Sequence, residues 1–366
     1  MGAAPRTGPE PVDTPDELTP AWLTGALTGA LRTHALRASG LDATVSDVWH
    51  SAVGTGQMSS CYRLALQYST GQGPASMIAK LPSPDPQVRE GGATTYATEV
   101  RFYRDIAQTV AVRAPECYCA VASDDGKSFV LLLEDMAPAE QGDQIAGCSA
   151  VEARDAVVNL AGLHGPRWCD ESLRAIEGLA PFGAEAAEGM GFGFGMMVEP
   201  FIERYGTPED DAEVLRAFAP RVAPWMLGRP DCFGLVHGDY RLDNLLFATS
   251  AGGPPCTAVD WQLVAIGLPA RDVGYFIGTG LKAEERAVNE RGLVAAYHDA
   301  LVGYGVHGYS FEQCWDDYRY GLFQGPLIIV LGAMYATRTD RGDEMFAAMT
   351  ERCCAAIRET DALTLL

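Results

Sequence analysis

Basic residues are scarce in this chain of 366. Against 48 Asp and Glu there are 27 Lys and Arg, giving a formal charge of −21 and a pI of about 4.6. Charge of that sign argues against nucleic acid and anionic membrane surfaces as partners, and is compatible with a cationic ligand. Long apolar runs are missing as well. The most apolar stretch, residues 321–334, contains Gln324 and Pro326 and is too short to span a bilayer. No apolar segment of signal-peptide type occurs near the N-terminus, and Arg at position 6 defeats a myristoylation pattern, so a cytoplasmic location is expected. The ten cysteines include no Cys-x-x-Cys pair. The tightest spacings are Cys117-Tyr118-Cys119 and Cys353-Cys354, which suit neither a zinc site nor a disulfide framework. Cys61 and Cys119, among apolar neighbours, read as buried reduced thiols.

What remains is an ordinary globular composition, 48% hydrophobic with a mean hydropathy of −0.01. The length suggests two domains or lobes. Residues 1–18, rich in Pro and Gly, read as a disordered leader. Thr19 caps a helix with Pro20 in its first turn and Trp22, Leu23, Ala26, Leu27 and Leu31 at helical spacing. A strand, a Gly-containing turn over residues 54–60 and a second strand follow, and Met77–Leu81 is an apolar strand bearing one lysine, Lys80. A helix is expected over 95–107, a buried strand over 128–133, and a helix from Ser149, whose Glu152 completes a capping box, to about Leu163. Residues 181–197, ending in Gly-Met-Gly-Phe-Gly-Phe-Gly-Met-Met, read as a flexible apolar segment that either shapes a ligand pocket or packs as a loop. Further helices are expected at about 198–205, 211–228, 282–302, 311–322 and 341–358. The acidic runs Glu209-Asp210-Asp211 and Asp316-Asp317 read as solvated faces.

The most informative stretch is Leu235 to Phe247. Two apolar runs flank a polar loop carrying His237, Asp239 and Asn244, so reactive side chains sit on a loop held by strands. Downstream, Asp260 ends another apolar strand. Two acids and an amide near strand ends form a set of oxygen donors suited to a metal ion and a hydroxyl.

This pattern resembles the protein-kinase-like catalytic core, in which a His-Arg-Asp loop is followed after four residues by Asn, and later by Asp-Phe-Gly. Asp239 and Asn244 keep that spacing. Gly238 in place of Arg, and Trp261-Gln262 after Asp260, are similar to the aminoglycoside phosphotransferase and choline/ecdysteroid kinase-like families of small-molecule kinases. The resemblance runs from about residue 45 to 280. It implies an α+β, bilobal protein-kinase-like fold, with a small antiparallel-sheet lobe over residues 19–136 and a mostly helical catalytic and acceptor-binding lobe over 137–366.

The resemblance also implies roles. Asp239 would be the catalytic base. Asn244 and Asp260 would hold Mg2+. Lys80 would clamp the α and β phosphates of ATP or GTP, placed by Glu99 nineteen residues later in a Glu-x-x-Phe-Tyr helix. Gly54, Gly56, Ser59 and Ser60 would cover the phosphates, and the backbone of Glu134 and Met136 would meet the base of the nucleotide. The acceptor would be a hydroxyl of a small molecule. His164 and His237 read as structural, and Asp272, in a Pro-x-x-Asp segment, as an anchor for the active loop. A protein kinase is disfavoured because no activation-loop or Ala-Pro-Glu segment follows Asp260. A nucleotide-binding regulator without activity is disfavoured because both metal ligands are present.

Overall fold

The computed structural model describes residues 9–29, 42–54 and 58–366. The chain forms two compact units, the first built from residues up to 109 with 114–137 and 260–263, the second from 110–113, 138–259 and 264–366. Among the described residues no helix is long and apolar enough to cross a membrane.

Among the described residues the first unit is a five-stranded antiparallel sheet with two α-helices. Its strands are β1 (Thr44–Val53), β2 (Ser59–Thr70), β3 (Ser76–Pro82), β4 (Cys117–Ala122) and β5 (Phe129–Glu134), in the order β1-β2-β3-β5-β4. The period of two along β3 divides its side chains. Met77, Ala79 and Leu81 join Leu23, Ala26 and Leu27 of α1 (Pro20–Gly29) in one core cluster. Lys80 alternates with them and so meets α2 (Pro86–Arg101). That helix starts nine residues earlier than expected, because Asp85 accepts the Gln87 N–H as a cap and Pro86 presets the first turn. It then widens into a single π-helical turn, Phe102–Ile106, whose Phe102, Tyr103 and Ile106 are all buried.

Residues 9–18, expected within a disordered leader, carry structure of their own. Pro15–Glu17 is a 3-10 turn, Leu18 lies in the core, and Asp13 binds both Arg89 and Ser128. Leu18 supplies the buried apolar contact that the leader's composition obscures. Residues 1–8, Leu31 and Gly56 lie outside the described residues.

The second unit is mostly helical. It contains β6 (Glu140–Gln141), β7 (Gly234–Val236), β8 (Leu245–Thr249), β9 (Gly252–Ala258) and β10 (Ala265–Gly267), paired as the antiparallel sets β6-β8-β9 and β7-β10. Its helices are α3 (Ala150–His164), α4 (Ala184–Tyr205), α5 (Glu209–Phe218), α6 (Val222–Leu227), α7 (Ala270–Gly280), α8 (Ala283–Gly303), α9 (Phe311–Gly321), α10 (Gln324–Tyr335) and α11 (Asp340–Glu359).

Two expectations are corrected here. The segment 181–197 is not a loop, since from Ala184 it is helix α4. Phe194, Val198 and Phe201 are buried along it, and that packing outweighs the poor helix propensity of its glycines. The acidic runs are not wholly solvated either. Asp211 and Asp317 are buried, binding Arg358 and Arg229 respectively. Helix α7 crosses α9 at glycines, where a Cβ on Gly274 would lie 2.4 Å from the Gly321 carbonyl carbon and one on Gly321 2.1 Å from the Ala270 oxygen. Only glycine allows so close a backbone approach.

Candidate active site

In the first unit, β3, α2 and the 260–263 segment converge on Lys80. Its ammonium lies 2.7 Å from one Glu99 oxygen, 2.8 Å from the other and 2.9 Å from Asp260 Oδ1. Lys80 is 8% exposed and Glu99 2%. Burial by itself would lower the Lys80 value, but the Asp260 and Glu99 carboxylates outweigh it and hold the ammonium firmly charged. Burial pushes the Glu99 carboxyl up, against the pull of Lys80. Asp260 adopts a left-handed backbone, φ +68°, that Asp tolerates better than bulky residues. Its second oxygen accepts from Gln262 Nε2 at 3.2 Å. The next residue, Trp261, is fully buried and stacks on Phe102, ring centroids 3.7 Å apart and planes 5° from parallel.

Of the remaining first-unit candidates, Gly54, Ser59, Ser60 and Glu134 lie at strand ends. Gly54 closes β1 with φ +73°. Ser59 and Ser60 open β2, opposite Pro82 and Leu81 of β3, and Ser59 is buried. Tyr96 of α2 donates to the Met58 carbonyl and so pins that end of the turn. Glu134 ends β5. Its N–H donates to the Glu116 carbonyl at 2.8 Å and its carboxylate accepts the Glu116 N–H at 3.0 Å. Met136 is buried beyond it.

In the second unit, the loop after β7 gathers its own set around Asp239. Asn244 Nδ2 donates to Asp239 Oδ2 and to the Asp239 carbonyl, both at 2.9 Å. The loop backbone is held from α7, where Asp272 accepts the His237 N–H at 2.6 Å and the Gly238 N–H at 3.0 Å. Gly238 sits at φ +85°, which explains a glycine here: an arginine would be strained in that conformation. Asp272 is fully buried. Burial favours its neutral form, yet the bond from His164 and the loop N–H groups keep it below the ordinary carboxylate range. His164 Nε2 faces Asp272 at 3.4 Å and Nδ1 faces the Tyr297 hydroxyl at 2.7 Å, and burial lowers the His164 value. His237 is likewise spent on the loop, its Nε2 3.1 Å from the Val259 carbonyl and its Nδ1 accepting the Asp239 N–H.

Sequence reasoning missed three residues that hold the Asp239 loop. The Tyr275 hydroxyl donates to Asp239 Oδ1 at 2.9 Å. Arg241 Nε donates to Oδ2 at 3.2 Å while its Nη1 holds Asp243 at 2.7 Å. Gln324, at the start of α10, donates to the Gly238 carbonyl at 3.1 Å. For Tyr275 a signal was present: it lies one helical turn after Asp272, which places the two on one face of α7. Asp243 is also bound by Arg341, and although burial opposes it, these arginines hold its carboxyl low.

A model of the phosphotransferase enzyme family matches residues 64–311, a span that includes Lys80, Glu99, Asp239, Asn244 and Asp260. Among curated proteins no sequence relative matches the chain. Solved structures do. A choline kinase from Cryptosporidium parvum Iowa II aligns with a TM-score of 0.54 at 9% identity, over 86% of this chain and 90% of that one. The GDP complex of a point mutant of aminoglycoside 2'-phosphotransferase-IIIa aligns with a TM-score of 0.53 at 16% identity, over 85% and 92%. A Ralstonia eutropha JMP134 protein, provisionally described as an aminoglycoside phosphotransferase, aligns with a TM-score of 0.51 at 17% identity, over 91% and 98%. These likenesses show the protein-kinase-like α+β fold.

Proposed function

The chain belongs to the phosphotransferase enzyme family, and on that premise we propose that it moves the γ-phosphoryl group of ATP or GTP to a hydroxyl of a small molecule. One observation carries this reading above the others: a buried lysine ammonium held by both Glu99 and Asp260, the latter 180 residues away in sequence. A fixed cation beside a helix-borne carboxylate is what a triphosphate clamp needs, since it opposes phosphate charge without having to be ordered first.

In this reading Lys80, placed by Glu99, contacts the α and β phosphates. Gly54, Gly56, Ser59 and Ser60 offer backbone N–H groups and hydroxyls to the phosphates, and the backbone of Glu134 and Met136 meets the purine edge. Asp239 orients the acceptor hydroxyl and takes its proton. Asn244 and Asp260 supply hard oxygen donors of the kind Mg2+ prefers. On the Asn244 side the amide nitrogen donates to Asp239, so the oxygen is the donor that side chain would offer an ion. Bound there, the ion would neutralise phosphate charge. The aminoglycoside and choline enzymes above are named for amine-bearing alcohols, and the −21 charge suits an acceptor of that class. Ten free thiols suit a reducing, cytoplasmic setting.

The test is mass spectrometry after incubation with Mg2+ and either ATP or GTP, with kanamycin, choline and related amino alcohols as acceptors. One added phosphoryl mass on an acceptor supports the proposal. Labelling of casein or histone instead, or no product in any panel, overturns it. In the active protein, Asp239→Asn should abolish turnover while nucleotide still binds.

A further inference from the structure

The hydrogen bonds to Asp239 can be counted by oxygen. Each carboxylate oxygen has room for two donors. Oδ2 has both places filled, by Asn244 Nδ2 at 2.9 Å and Arg241 Nε at 3.2 Å. Among the described residues Oδ1 accepts one bond, from the Tyr275 hydroxyl at 2.9 Å. Among the described residues one lone pair of Oδ1 thus has no donor.

Tyr275 itself is fully buried on α7, one turn beyond Asp272. The same helix face thus grips the loop twice, its backbone through Asp272 and its reactive side chain through Tyr275. Burial first, and the Asp239 charge second, keep the Tyr275 phenol protonated and so a donor. With the Tyr275 bond removed, the carboxylate would be held on one side only and could turn about its Cβ–Cγ bond.

Resting on the reading of Asp239 as base, we infer that Tyr275 is a positioning residue that fixes the Asp239 carboxylate so that Oδ1, not Oδ2, receives the acceptor's proton. In that step the acceptor O–H proton passes to Oδ1 while the acceptor oxygen bonds to the γ-phosphorus. The bond from that phosphorus to the bridging oxygen breaks, and its electron pair stays on the departing nucleoside diphosphate. Asn244 and Arg241 hold Oδ2 throughout.

The experiment compares wild type, Asp239→Asn, Tyr275→Phe and protein with 3-fluorotyrosine at position 275. The probe is MgATP with whichever of kanamycin or the choline-type amines is phosphorylated, read by ADP release. Phenylalanine removes the donor and keeps the ring, whereas 3-fluorotyrosine keeps the donor. Tyr275→Phe is expected to lower kcat by about tenfold to about a hundredfold, the scale of a misplaced reacting group, with KM for ATP within about twofold. The fluorotyrosine protein should stay near wild type. A dead Asp239→Asn beside a Tyr275→Phe of unchanged kcat overturns this inference alone. Equal loss in the Phe and fluorotyrosine proteins, with matching falls in melting temperature, also overturns it, because the role is then structural. An active Asp239→Asn instead overturns the base assignment on which the inference stands.

Discussion

Asp272→Asn is the sharpest probe of how the Asp239 loop is held. The carboxylate accepts two backbone N–H groups, from His237 at 2.6 Å and Gly238 at 3.0 Å, in a fully buried setting. Hydrogen bonds to a charged acceptor contribute about 1.5–3 kcal/mol each. An asparagine at the same place keeps one carbonyl oxygen and turns an NH2 group toward the other N–H. One charge-assisted bond is lost, the second becomes an ordinary neutral bond about 1 kcal/mol weaker, and a buried N–H is left unpaired at a cost of about 1–3 kcal/mol. Removing a buried charge gives part of this back. The net expectation is a loss of about 3 kcal/mol, seen in urea unfolding as a lower midpoint at unchanged slope. Turnover should fall with it, because the loop that carries Asp239 loses its floor. If the variant unfolds within about 1 kcal/mol of wild type and turns over normally, the anchoring argument is wrong.

Other consequences are testable in the same protein. Glu99→Gln should raise KM for nucleotide by about tenfold by leaving the Lys80 ammonium paired with Asp260 alone, as steady-state kinetics with varied ATP would show. Gly274→Ala places a methyl group against the Gly321 backbone and should lower stability by about 1–3 kcal/mol in thermal melts, with no change if the α7–α9 crossing is looser than described. His164 has its folded-state value lowered by burial, so the unfolded chain binds its proton first. Stability should then fall as pH drops below about 6.5, with a slope of at most about 1.4 kcal/mol per pH unit, and the stability difference from His164→Gln should stop depending on pH above that value. Asp272 acts lower: its stabilisation is complete above the unfolded carboxylate value near 3.9 and is lost as pH falls through the lower folded one, which acid unfolding of Asp272→Asn would reveal.

The parts of the candidate site legible in the sequence are those fixed by local rules. The spacing of Asp239 and Asn244 is set by one loop, and Lys80 and Glu99 occupy a strand and a helix whose periodicities can be read directly. The Ser149 cap is local too, and it forms as a capping box. Helix α4 escaped because its glycines argue locally for a loop, while the burial of Phe194, Val198 and Phe201 is decided by distant helices. Tyr275, Arg241 and Gln324 escaped for a related reason, since each matters through a partner atom that only folding brings near. Asp211 and Asp317 read as surface charge because the arginines that bury them lie far along the chain.

The stack of Trp261 on Phe102 places an indole directly after Asp260, with its backbone N–H bonded to Glu99. A shift of the Asp260 backbone would be passed to this ring through one peptide bond. The molecule thereby carries a native optical gauge. With the other five of its six tryptophans replaced by phenylalanine, emission from Trp261 would follow occupancy of that carboxylate without any added dye.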